Sequence, residues 1–447
     1  MTAVSAQRMD LAERVLEMVD GRGEAEVRVN GGNLSLTRFA NSFIHQNVGD
    51  EGDAVSVRLS VGARIASGTT TNTDADALSG FVDGLIESAK LQPIDEDWPG
   101  LSEPAVAPDI DHYDPATADA SPQERASMVA DFVNAGPDMR AAGYCQTLGG
   151  EIVFANSNGV RHEGRYTQAI IDGIHQTDTS AGSAHNAGRS LGDLDGGVVG
   201  ALAAQRAKDS AATYDVKPGE YEVVLSPECV ATIGVFLAAY GFNGKSYLEG
   251  QSFVDIGAPQ FDEKITLIDD VTDPRGMGVG FDAEGTPHGR FPLIEAGITK
   301  TVVHDRKTAK KAGTESTGHG GPGSDVYGPF PSLLFLEGGN TSVEAMIADV
   351  DRGLYVATFN YCRALEPKTM AVTGLTRNGT FMIEHGEITG AVSGLRFTQS
   401  FLSALGPGNV IAVGDDARFA DSEFGPGFMH VPSMRLGSWN FTGGADG

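Results

Sequence analysis

"EAEVRVNGGNLSLTRFANSFIHQ", residues 24–46, alternates apolar and polar positions on both sides of a Gly-Gly-Asn triplet. Alternation of period two marks a half-buried strand, and glycine with asparagine is turn chemistry. The stretch reads as a hairpin: a strand over 24–30, a turn at 31–33 and a returning strand over 34–46. "DAVSVRLSVGARIASGTTT" (53–71) continues the alternation, giving three or four antiparallel strands. A helix over 5–20 precedes them, with Met9, Ala12, Val15, Leu16 and Val19 on one face. A second starts near Asp74 and runs through "ALSGFVDGLIESAKLQ".

Residues 1–91 therefore read as an N-terminal α+β domain. Residues 92–122, rich in Pro, Asp and Ala, read as a solvated linker, "DIDHYD" included. Over 123–215 a middle α+β segment packs with the N-terminal domain, through a helix at 122–135, strands within 149–178 and a helix at 197–212. From 216 to 447 the pattern is short, glycine-bounded strands with few helices. So many hairpins must manage their edges, and a closed or barrel-like sheet does so. The class is α+β: an N-terminal antiparallel sheet with helices, then a mostly-β C-terminal domain.

The chain has 447 residues and 59 glycines, nearly twice the ordinary share, which fits a turn-rich, strand-rich protein. A net charge of −28 opposes binding to nucleic acid or an anionic membrane. Cys145, Cys229 and Cys362 stand far apart with no CxxC, as expected of reduced thiols in a cytoplasm. The acid-containing N-terminal helix is unlike a signal peptide. The longest uncharged apolar run, Val230 to Phe242, falls short of the roughly 20 residues that span a bilayer. A cytoplasmic protein is the expectation.

Familiar catalytic patterns fail on context. The ten histidines include no two within six residues, so no HExxH or HExxxH zinc helix exists. "GRSLG" (188–192) has neither the strand before nor the helix after that a nucleophile elbow needs. "GMGVGFDAEG" (276–285) lacks a βαβ setting and reads as a turn. "FNGKS" (242–246) is a P-loop near miss, with Ala239 in place of the first glycine. His162-Glu163 and "EHGE" (384–387) read as exposed turn residues, and Asp269, Asp270 and Asp273 as turn formers after a strand.

Two stretches hold more interest. "SPECVATIGVFLAAYG" (226–241) has the grammar of a helix: Ser226 as N-cap, Pro227 at the first position, Glu228 at the positive end of the dipole, and Gly241 as a left-handed stop. From Val230 to Tyr240 it contains no charge and no histidine. Cys229 near its start is a position where thiol pKa values can fall. "ESTGHGG" (315–321) crowds Ser316, Thr317, Gly318, His319, Gly320 and Gly321 into a loop before an apolar strand. Such a loop can expose backbone N–H groups to an extended peptide or a carboxylate.

"TRFANSFIHQ" (37–46), "VFANSNGVR" (153–161), "GFDAEGTPHGRFPLIEAGITKTVVHDRKTAKKAG" (280–313) with "ESTGHG" (315–320), and "NGTFMIEHGEITGAVSGLRF" (378–397) together resemble the TldD/PmbA family, and within it the TldE-like branch. The resemblance covers nearly the whole chain. It implies a heteromeric intracellular metallopeptidase acting on unfolded or short peptides, in leader-peptide removal or peptide breakdown. In that arrangement a TldD-like subunit carries zinc on an HExxxH helix plus a cysteine near its C-terminus. An approximate match sets Phe236, Leu237 and Gly241 at the first His, the Glu and the second His. "FGPGFMHVPSMRL" (424–436) falls where the cysteine belongs and holds only His430. The resemblance thus implies no catalytic residue and no cofactor in this chain, zinc in a TldD-like partner, and a chamber-completing, peptide-positioning role for the loop 316–321. A homodimer is the expected assembly without the partner. The alternatives are a non-enzymatic binding protein or DNA gyrase modulator, and a self-sufficient peptidase with a different site, such as His319 with Ser316.

Overall fold

The computed structural model describes residues 3–444, so positions 1–2 and 445–447 of the expected domains lie outside the described residues. The 31–33 turn does not form. Strand β1 runs from Glu24 to Ala40 straight through the glycines, turns at Asn41 and Ser42, and returns as β2, Phe43–Ser60. Both turn residues have positive φ, 49° and 63°, a region that asparagine tolerates. The glycines serve a close approach instead. Gly32 lies between Gly52 and Gly150 across three strands, and a Cβ on it would stand 2.0 Å from the Gly149 carbonyl oxygen. A Cβ on Gly31 would strike Arg8, which reaches over the sheet from helix α1, Ala3–Val19. Arg8 bonds Asp53 at 2.8 Å and Glu151 at 2.6 Å, so the bare glycine surface lets one guanidinium tie α1 to β2 and to β4, Arg140–Asn156.

The helices follow their sequence signals closely. These are α2 (Ala75–Leu91), α4 (Pro122–Asn134) and α5 (Gly196–Asp209), while the short α3 (Pro115–Ala118) forms within the stretch read as linker. Ser121 and Glu124 close a capping box on α4, and the Asp195 carboxylate caps α5. The 92–122 stretch is not bare solvated chain. His112 is buried and bonds the Asp273 carbonyl at 2.9 Å, and Leu101 and Ser102 are also buried.

Further strands are β3 (Ile65–Thr70), β5 (Arg161–Gln176), β6 (Ala181–Gly188), β7 (Thr213–Tyr214), β8 (Gly219–Leu225), β9 (Leu267–Asp270), β10 (Arg290–Glu295), β11 (Ile298–Thr299) and β12 (Leu334–Leu336). A 12-stranded sheet runs β11-β10-β9-β12, then the strands Gly425–Val431 and Arg418–Ser422, then β6-β5-β4-β1-β2-β3. Strands from both ends of the sequence thus share one sheet, joined where Phe419 pairs with Ala187. A second sheet, of 10 strands, has β8 within it and runs from Phe359–Glu366 at one end to β7 at the other. Its two ends do not meet among the described residues, so the C-terminal sheet is open rather than a barrel. One edge is the two-residue β7, which is too short to recruit another chain. The class is α+β as expected.

Helix α6, Pro227–Tyr240, lies in the largest apolar cluster, against residues of both sheets. Among the described residues, no helix is long and apolar enough to cross a membrane.

Gly32→Val should lower stability by about 1–3 kcal/mol, because the side chain meets backbone that cannot yield. Gly52→Val, with no atom within 4 Å of its Cβ position, should change it by less than about 0.5 kcal/mol. Urea denaturation of the two variants checks this, and equal losses would contradict the close-approach account.

Candidate functional site

The site is assembled from segments far apart in sequence. Strand β9 pairs with β10 on one side and β12 on the other. His288 precedes β10 and Ser332 precedes β12, so the sheet register delivers both beside Asp269 on β9. His288 Nε2 lies 2.9 Å from Asp269 Oδ1, and the Ser332 N–H donates to Oδ2 at 2.5 Å. The glycine loop adds His319, whose Nε2 lies 3.3 Å from Asp269 Oδ2. All three side chains are buried. Burial alone would raise the Asp269 carboxyl, but His319 and His288 outweigh it and hold the group ionised well below the usual carboxylate range. Burial pushes the His319 imidazole down, against the pull of Asp269.

A clamp of buried charge fixes the loop that carries His319. Asp282 accepts from the Glu284 and Thr286 N–H groups and, at 2.7 Å, from Gly320 N–H. Glu284 accepts from Arg58 of β2 at 2.8 Å and from the Arg306 N–H at 2.8 Å. Arg58 also bonds Glu26 of β1 at 2.7 Å. "FDAEGT" therefore ties the N-terminal strands to the glycine loop. Burial and the neighbouring Glu284 push the Asp282 carboxyl up.

A cavity of about 950 Å³ opens beside this cluster. Its wall includes Arg28, Tyr166, Tyr240, His288 and residues 318–324 of the loop. The Arg28 Nε is buried there without a hydrogen-bond partner.

The loop is not the open row of donors that its composition suggests. Gly318 and Gly320 are buried, the latter's N–H spent on Asp282, and the Gly321 N–H goes to Ser324 Oγ at 2.6 Å. Ser316 and Thr317 direct their hydroxyls at the His304 carbonyl. Gly321 is exposed, with space around its Cβ position. Asp269 and Asp270 belong to a strand, not a turn. His162 is buried in β5 and stacks on Phe281, whereas His385 does lie in an exposed turn. Strand β6 does run up to "GRSLG", contrary to expectation, but only a single turn follows at 191–193, and Ser190 caps it and donates to Asp114 Oδ2.

Helix α6 points its C-terminal end at the cavity, where Ala239 and Tyr240 reach the wall. The helix itself is apolar on all sides. Phe236 sits among the rings of Tyr240, Phe401 and Phe424 at 5.4–5.8 Å, and Leu237 is equally buried. A Cβ on Gly241 would lie 2.1 Å from the Phe253 ring. Two cap readings need correction. Ser226 Oγ donates to the Ala357 carbonyl and caps nothing, and Gly241 takes φ −101° rather than a left-handed turn. Burial raises the Cys229 thiol well above its usual range, so it is a packing residue.

The family model described as "PmbA/TldA metallopeptidase C-terminal domain" matches residues 218–443, half of the chain. The chain belongs to the PmbA/TldD family. The metalloprotease PmbA of Escherichia coli O157:H7 is 25% identical over 98% of both chains. A metalloprotease of Methanothermobacter thermautotrophicus is 27% identical, over 48% of this chain and 47% of its own length. The chain thus spans about half the length of that relative. The crystal structure of TldE from Thermococcus kodakarensis superposes with a TM-score of 0.87 at 20% identity, over 98% of this chain and all of that one.

For a PmbA/TldD chain the fit of zinc to α6 can be tested directly. Phe236, Leu237 and Gly241 offer no donor atom, and their packing leaves no room for one. His430 does not face α6: its neighbour Met429 packs on Gly234, while His430 turns to Phe335 and Phe419. Burial, aided by Arg275, pushes its pKa down to about 4. The Asp269–His288–His319 cluster, by contrast, has metal-binding chemistry. It escaped the sequence because its members are spread over 51 residues (319 − 269 + 1) and only strand pairing unites them. The sole local signals were the histidines of "TPHGR" and "TGHGG".

Phe236→Ala should cost about 3–5 kcal/mol, read by denaturant unfolding. An unchanged midpoint would mean the ring is not in the core. At the other end of α6, burial would raise the Glu228 carboxyl, but Arg418, bonded at 2.6 Å, and Arg206 outweigh it and hold it at about 2. Its folded pKa lies below the unfolded value of about 4.3, so its stabilisation is present above that pH and lost as pH falls towards 2. Glu228→Gln should shrink the stability loss across that window and cost about 3 kcal/mol at pH 7.

Proposed function

We propose that this chain is the TldE-like subunit of a heteromeric TldD/TldE-type metallopeptidase, and that it holds unfolded or short peptides for a zinc-bearing TldD-like partner. The observation that carries the reading is α6. At the place where the family resemblance sets the zinc helix, this chain has a three-ring aromatic environment around Phe236 and a glycine packed on Phe253. A helix so placed supports the cavity without supplying the reaction's metal.

The cavity suits an extended peptide. Its volume of about 950 Å³ can hold several residues, and its walls are mixed polar and apolar. The Arg28 Nε, buried without a hydrogen-bond partner, matches a carboxylate oxygen, whether of a peptide C-terminus or an acidic side chain. The acidic net charge favours basic segments elsewhere along the peptide. Full-length similarity to a metalloprotease named PmbA and the TldE-like fold support the same reading. An obligate pair of this kind commonly buries more than about 2,000 Å².

Three assays decide it: labelled-peptide cleavage by the TldD-like partner alone, by this chain alone, and by the mixture. Cleavage should require both, and full cleavage by either alone would refute the subunit reading. The cavity role has its own variant. Gly318 and Gly320 are unsuitable, because added side chains would collide with the Pro287 carbonyl and Glu284. Gly321→Trp intrudes from an open position and should reduce kcat/KM of the mixture by about tenfold or more. Complex formation should be unaffected.

A further inference from the structure

We propose that Asp269, His288 and His319 bind one divalent transition-metal ion of the zinc class, at a site separate from α6. The inference is independent of the subunit reading and departs from the metal-free chain that sequence spacing implied.

Three features carry it. The first is the donor set. Two imidazole nitrogens and one carboxylate oxygen lie within 4.8 Å of one another, a combination that suits zinc, cobalt or iron better than magnesium or calcium. The second is orientation. His319 Nδ1 is held by Thr317 Oγ at 2.8 Å, and His288 Nδ1 faces Ser332 Oγ at 3.4 Å. Thr317 Oγ is itself fixed by the His304 N–H at 2.7 Å. Both rings therefore turn Nε2 to the carboxylate, with hydroxyls behind them, the outer arrangement that aims histidine ligands at a metal.

The third is an unmet need. His288 makes a good hydrogen bond to Asp269, but His319 Nε2 makes only a long, poorly aligned contact with it despite its burial. Its 3.3 Å separation from Asp269 Oδ2 is about the distance between two ligands on a tetrahedral ion with bonds near 2.0–2.1 Å. A pure hydrogen-bond relay would align this nitrogen as well. A cation among the three atoms satisfies it, with the single ring proton of His288 carried on Nδ1, facing Ser332 Oγ, so that the Nε2 lone pair is free for the metal. His288 and His319 also border the cavity.

The test uses the purified full-length chain, stripped with chelator and dialysed. Titration with Zn2+ alone, followed by calorimetry and elemental analysis, should give one ion per chain and a raised melting temperature. Co2+ should give the visible absorption of a low-coordinate site. His288→Gln and His319→Gln should each weaken Zn2+ binding about 100-fold or more. Their circular dichroism in the absence of metal reports folding. If one variant fails to fold, the other decides together with the wild-type Co2+ spectrum. No Zn2+ uptake by the folded wild type, or wild-type affinity in a folded variant, overturns the site. Neither result bears on cleavage by the mixture, so this proposal and the subunit reading fail separately.

Discussion

Burial of α6 on every side is the constraint from which the rest of the C-terminal half follows. A helix between two sheets has no solvent face to carry polar groups. Uncompensated polar side chains there would cost several kcal/mol each. The sequence answers with an uncharged run from Val230 to Tyr240, and with a polar start where Glu228 meets Arg418 and Arg206. The same packing that stabilises the helix excludes ligands from it. At Phe236, Leu237 and Gly241 the requirement met is packing: two buried side chains and a glycine against the Phe253 ring.

In the N-terminal half of the larger sheet, long-range charge adds to local order. Arg8 fastens α1 over bare glycines, and Arg58 joins Glu26 to Glu284 across the larger sheet. Asp282 then holds the glycine loop by its backbone. These contacts join residues up to 226 positions apart and brace the N-terminal strands against the glycine loop, in addition to the Phe419–Ala187 pairing that makes one sheet. They also explain the loop's immobilised amides: its glycines let backbone approach Pro287 and Glu284, and only the stretch from Gly321 onward is left for a ligand.

Local signals were legible and long-range ones were not. The capping box of Ser121 and Glu124, the start of α2 after Asp74 and the apolar α6 all follow from neighbours within a few residues. The strand-rich character of residues 216–447 showed in its short, glycine-bounded apolar runs. Gly31 and Gly32 were misread because their partners, Arg8 and Gly149, are remote, and a glycine pair looks the same in a turn and under a close crossing. Asp269 looked like a turn former because its burial depends on pairing with β10 and β12. His162 looked exposed because its partner Phe281 lies far along the chain. The sheet's open edges depend on strand order, which alternation does not encode. The loop 316–321 was recognisable as unusual, but its direction of hydrogen bonding was not.

In the proposed assembly, peptide lies in this chain's cavity while the zinc of a TldD-like partner cuts it. A photo-crosslinking side chain at position 321, in the assembled complex with a labelled and inefficiently cleaved peptide, tests that contact directly. The account predicts a crosslink from position 321 that unlabelled substrate competes away. A complex that cleaves normally while position 321 never crosslinks to peptide would contradict it.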